Sequence, residues 1–171
     1  MFKTIKKIAT HISCVQKAIF CVVDELRQRA LVHDASKFSE DELKGYLRFE
    51  EMPEGLEYGS DEYKAAMAKI MKDNNCFELH SEQNDHHPEF HENAYSGTTV
   101  DIMGLFPIIE MVCDWAGAHV SYGNESDWYE SVDYNMNRFD FSDAQKWAIR
   151  EVATLLYKKI PELAEKKGNK S

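Results

Sequence analysis

Seven histidines occur in the chain, and four of them, His80, His86, His87 and His91, fall within twelve positions. Neutral imidazoles combined with carboxylates are the donor set of Mn, Co, Fe, Ni or Zn, whereas Ca²⁺ or Mg²⁺ alone is held mainly by oxygen. The chemistry in view is that of a divalent transition metal, as one or two ions. His33 and Asp34 are adjacent and offer one ion a nitrogen and an oxygen. His11 lies on an apolar helical stripe, one turn after Ile8 and one before Val15. A buried polar group there needs a partner, which a metal or an ordinary hydrogen bond would supply.

Glu110 and Asp114 stand one helical turn apart, with Asp114 between Cys113 and Trp115 in an apolar stretch. A carboxylate in such a setting is seldom buried unpaired, and a metal, an Arg or a Lys would satisfy it. Lys37, one turn after Asp34, can bring an ammonium to where a phosphate would meet the ion, or can be a solvated lysine. His80 closes a helical pattern, and His86 and His87 follow it; spacing does not decide between the last two. Past Pro88 a short helix would stack His87 and His91 on one face, and His91 reads as a surface histidine or one that supports a ligand. His119 follows a helix end and reads as a surface or dipole-compensating residue. Tyr46 and Trp115 could stack on a nucleobase, but read first as core.

These residues need helices to position them. From about residue 3 to 30, Ile5, Ile8, Ile12, Val15, Ile19, Val22 and Leu26 recur at steps of three and four, the stripe of an amphipathic helix. Ser39-Glu40-Asp41-Glu42 reads as a capping box, with Glu42 reaching back to the helix start, and the helix it opens ends near Met52-Pro53. Ser60 caps a helix predicted over about 61 to 82, which the Gln83–Pro88 run breaks because the residue before a proline avoids the helical region. Asn93 to Thr99 reads as a loop, about 101 to 119 as a fourth helix, and Ser126 as the cap of a short one through Tyr129. The last helix spans about 142 to 160 and stops at Pro161, with a disordered tail from about 165. The pattern predicts an all-α, single-domain helical bundle of five or more helices over residues 1–171.

With 20 basic against 30 acidic residues, the formal charge of −10 counts against a polymeric nucleic-acid partner, and 43% apolar residues exclude general disorder. The N-terminus begins like a signal peptide, but His11, Ser13, Gln16 and Lys17 interrupt any apolar run, and no membrane span is predicted. Cys14, Cys21, Cys76 and Cys113 lack CxxC spacing and read as buried free thiols of a cytoplasmic protein. Oligomeric state stays open.

The order His11, His33-Asp34, Asp114 resembles the H…HD…D signature of the HD-domain metal-dependent phosphohydrolases, and His80 with His86 or His87 resembles the extra histidines of their two-metal members. More closely, His33–Phe38, Asn84–Pro88 and Glu110–Trp115 resemble three blocks of a small phage and bacterial family of unknown function. The HD resemblance implies a helical bundle with a central metal site. His11, His33, Asp34 and Asp114 would hold a first ion, and His80 with His86 or His87 a second that Asp34 bridges. It implies hydrolysis of a small phosphorylated substrate such as a nucleotide, with Lys37 steadying the phosphate and Glu110 as general base or orienter. Two alternatives share these ligands: a di-iron oxygenase of the HD fold, and a non-catalytic metal-containing protein that binds a nucleotide or a host factor.

Overall fold

The structure, a computed structural model, describes residues 2–56, 60–94, 100–122 and 126–165. It is all-α, with no strand among the described residues. Eight α-helices follow in order: α1 Phe2–Val32, α2 Glu40–Leu47, α3 Asp61–Met71, α4 Cys76–Gln83, α5 Pro88–Ala94, α6 Leu105–Tyr122, α7 Trp128–Met136 and α8 Asp143–Lys159. None is long and apolar enough to cross a membrane. The chain divides into two compact units, Met1–His33 and Asp34–Ser171.

The first unit is α1 alone, 31 residues without an internal Pro or Gly. Its apolar stripe is present as predicted, but a lone helix has no second element in its own unit to cover it, and α1 has no buried residue. His11 is accordingly exposed. So are Cys14 and Cys21, which with exposed Cys113 corrects the buried-thiol expectation; of the four free cysteines only Cys76 is buried.

The second unit carries the hydrophobic core, where α6, α7 and α8 enclose Met111, Val112, Trp128, Val132, Phe141 and Ile149. Trp128 is wholly buried and donates its indole N–H to the Ala153 carbonyl at 3.1 Å, so the largest core side chain leaves no polar atom unmet. Buried Gln145 serves two ends: its Oε1 accepts from the Ser142 N–H at 3.0 Å to complete the capping box of α8, and its Nε2 donates to the Val100 carbonyl at 2.7 Å. The turn leading into α6 is thereby pinned to α8.

Several boundaries differ from those predicted. The helix expected over 61 to 82 is two, α3 and α4, because Asp73 adopts a left-handed φ of 61° that ends the first. Arg48 donates to the exposed Lys72 carbonyl there at 3.0 Å. The fourth helix begins at Leu105 rather than about 101, after a 3-10 turn at Val100–Ile102. Asp127, not Ser126, caps α7, its carboxylate accepting from the Tyr129 N–H at 2.9 Å. Of the predicted 93–99 loop, Asn93 and Ala94 instead end α5. Residues 95–99, and the tail from 166, lie outside the described residues.

Candidate metal centre

Asp34 opens the second unit with φ 56°, a left-handed conformation that costs a residue with a Cβ some energy but that Asp tolerates better than most. The 3-10 turn Ala35–Phe38 follows, closed by the Lys37 N–H donating to the Asp34 carbonyl at 3.0 Å. This turn brings Lys37 back onto its own turn opener, and the Lys37 ammonium pairs with Asp34 Oδ2. The other oxygen, Oδ1, lies 3.0 Å from His80 Nε2 and 3.5 Å from His86 Nε2.

His80 is carried near the end of α4, and His86 and His87 by the turn between α4 and α5. That turn is tied at both ends. The His87 N–H donates to the Asn84 carbonyl at 3.0 Å, and buried His91 on α5 hydrogen-bonds through Nε2 to the Asp85 carbonyl at 2.8 Å. His91 thus steadies the segment that presents two imidazoles, and it is not a surface residue. Ligand atoms of Asp34, His80, His86 and His87 all lie within 4.8 Å of one another. Both candidates of the His86/His87 pair are therefore present, their ring centroids 4.3 Å apart.

The outer nitrogens of two of these rings face carboxylates. His80 Nδ1 is 2.9 Å from Glu42 Oε2, and His86 Nδ1 is 3.3 Å from Glu110 Oε1. Each ring then turns Nε2 toward Asp34. Glu110 and Asp114 reach the site from α6, as their one-turn spacing requires, and an oxygen of Asp114 lies within 4.8 Å of one of Asp34.

Three side-chain placements were not foreseen. Glu42 does not reach back to the start of α2; Ser39 Oγ accepts the Glu42 N–H as a cap, but the Glu42 carboxylate is fully buried against His80. Asn84 joins the same corner, donating to the His80 carbonyl at 2.7 Å and to Ser36 Oγ at 2.8 Å. His119 is buried in the core unit, with Nδ1 3.2 Å from Ser131 Oγ and its ring edge-on to Trp128, a structural histidine rather than a helix-end surface residue. Tyr46 and Trp115 are half-buried: Tyr46 lies edge-on to Phe77, and Trp115 packs against the core.

Burial, and then the neighbouring His86 and His80, lower the His87 pKa to about 4, so its imidazole is neutral at neutral pH and open to a Lewis acid. The buried Nε2 of His87 engages no hydrogen bond, and that of His80 has only Asp34 Oδ1, 3.0 Å away as an ion pair, before it. Native interiors rarely leave such atoms so, and these groups are placed where they could hold a metal ion. Of the remaining predicted ligands, His33 is the half-buried last residue of the first unit, joined to Asp34 by the peptide bond, and His11 is the exposed residue of α1 already described.

The profile of DUF5662, a family of unknown function, matches residues 1–160, and the chain belongs to that family. No curated protein and no solved structure matches it.

Proposed function

We propose that this DUF5662 member is a metal-dependent phosphohydrolase of a small phosphorylated substrate, with a nucleotide the first class to try. The observation that carries the reading is the convergence of ligand atoms of Asp34, His80, His86 and His87 within 4.8 Å of one another, with a buried His87 Nε2 that engages no hydrogen bond. Three imidazoles and a carboxylate fit Mn, Co, Fe, Ni or Zn better than an all-oxygen cation site. We assign these four as ligands, with Asp114 beside Asp34. The reading does not require His11. When bound, such an ion supplies Lewis acidity toward a phosphoryl oxygen and a water of lowered pKa.

The protein's own groups divide the remaining work. Glu110 holds the His86 ring by its Nδ1, and Asp34 divides its two oxygens between the imidazoles and Lys37. Lys37, half-buried beside the cluster, adds a cation where charge grows on the phosphoryl oxygens. The acidic chain as a whole disfavours a polymeric phosphate, which would meet the field of many carboxylates.

The test is elemental mass spectrometry on untagged protein together with phosphate release from a nucleotide panel in Mn²⁺ or Co²⁺. One or two transition ions per chain, lost in Asp34→Ala/His80→Ala, with metal-dependent phosphate release, is the expected result. Lys37→Met should retain the metal and lose about 10²-fold in hydrolysis. Iron with oxygen uptake and no phosphate release would replace the hydrolase by an oxygenase, and absence of metal under all loading conditions would end the reading.

A further inference from the structure

We infer that Glu42 is a positioning residue of the metal centre, a buried carboxylate that fixes His80 in the tautomer with Nε2 available to the ion. The inference rests on the metal reading above and adds a residue to it. Glu42 is 0% exposed, and its Oε2 lies 2.9 Å from His80 Nδ1. Its second oxygen, Oε1, is buried and has no hydrogen-bond partner. A carboxylate so placed is costly to the fold unless positive charge stands close by.

The neighbouring hydrogen bonds indicate where the ring proton goes. Asn84 Nδ2 has two hydrogens, and its two shortest contacts are the His80 carbonyl at 2.7 Å and Ser36 Oγ at 2.8 Å. It therefore has none left for His80 Nδ1, which it approaches only to 3.1 Å. Two oxygens face Nδ1, Ser36 Oγ at 3.1 Å and Glu42 Oε2 at 2.9 Å, and we place the Nδ1 proton toward the nearer one, the carboxylate. The imidazole lone pair then resides on Nε2, the atom facing Asp34 Oδ1 at 3.0 Å. A carboxylate behind a ligating imidazole fixes the ring and makes it a better donor, and loss of such a partner typically weakens metal binding by 10- to 100-fold. An ion on Nε2 would in turn give the buried Glu42 the positive neighbour it needs.

The experiment measures Co²⁺ affinity by chelator competition in the full chain, with the Co²⁺ visible spectrum as a second readout. Glu42→Gln should bind Co²⁺ about 10- to 100-fold more weakly than wild type, while its metal-free form unfolds no more readily, because a buried charge has been removed. In a His80→Ala background the same substitution should have little further effect, since Glu42 acts through that ring. Equal affinity of wild type and Glu42→Gln, or an undiminished loss without His80, would overturn the inference. Nitrogen-15 NMR of the wild-type histidines supplies a check that needs no variant: His80 should carry its proton on Nδ1, and an Nε2–H tautomer would overturn the assignment. Failure of the wild type to bind Co²⁺ would instead overturn the metal reading, and this inference with it.

Discussion

Burial keeps the His87 imidazole neutral, the form that can donate to a cation. Its pKa falls from 6.5 to about 4, first through desolvation and then through the adjacent His86 and His80. Between those values the unfolded chain takes up a proton that the folded one refuses, so the contribution of His87 to metal-free stability is fully present above about pH 6.5 and is lost as pH falls toward 4. The shift corresponds to an upper bound on the order of 3 kcal/mol, reduced by whatever solvent reaches the ring. Urea unfolding in the presence of a chelator, at about pH 7 and about pH 4.5, should show this loss in wild type and a smaller one in His87→Asn. Equal slopes for the two proteins would refute it. At the residue scale much was legible, because imidazole clustering and the one-turn pair Glu110 and Asp114 are patterns that the chain displays directly. Glu42 was hidden because a Ser three residues before a Glu already has a sufficient local explanation as a capping box. Only the tertiary approach of His80 to it shows that the carboxylate is engaged elsewhere.

At the scale of elements, the pairing of α2 with α4 decides whether Glu42 and His80 meet. Gly45 permits it: a Cβ there would stand 2.4 Å from both Asn74 Oδ1 and Cys76 Cβ. Asn74 completes the joint, donating to the Gly45 carbonyl at 3.1 Å and accepting from the Cys76 N–H at 3.2 Å. Gly45→Ala should therefore destabilise the protein by about 1–2 kcal/mol, overpacking outweighing the better helix propensity of Ala. It should also weaken Co²⁺ binding by separating α2 from α4. A urea midpoint equal to or above wild type would contradict this packing argument. The helices themselves were readable from periodicity and caps, and Ser39 and Ser60 cap as their positions suggested. The break between α3 and α4 was not, because the apolar stripe of 61 to 82 outweighed the turn chemistry of Lys72-Asp73-Asn74-Asn75, where Asp and Asn favour left-handed backbone.

At the scale of the whole molecule, the core and the four clustered candidate ligands draw on different parts of the second unit, while α6 serves both through Glu110 and Asp114. The core lies among α6, α7 and α8, whereas three of the four clustered ligands come from α4 and the turn after it, and Asp34 from the residue that opens the unit. Among the described residues, the small helices α2, α4 and α5 contribute few fully buried apolar side chains, Cys76 on α4 among them. An ion that links Asp34 to the His80–His87 segment would supply cohesion that apolar packing there does not. Because a metal that binds only the folded state stabilises it by mass action, free ion at 100 times its dissociation constant contributes about 2.7 kcal/mol. For a chain of this length that corresponds to a rise of roughly 5–11 °C in the unfolding midpoint. Mn²⁺ is the ion of choice for the measurement, since four free cysteines would let a thiophilic ion bind the unfolded chain as well and cancel part of the effect. Thermal unfolding followed by circular dichroism should show the rise in wild type, its reversal by chelator, and a smaller rise in His80→Ala. A midpoint indifferent to Mn²⁺ at any concentration up to millimolar would mean that the buried imidazoles are held together by the fold alone.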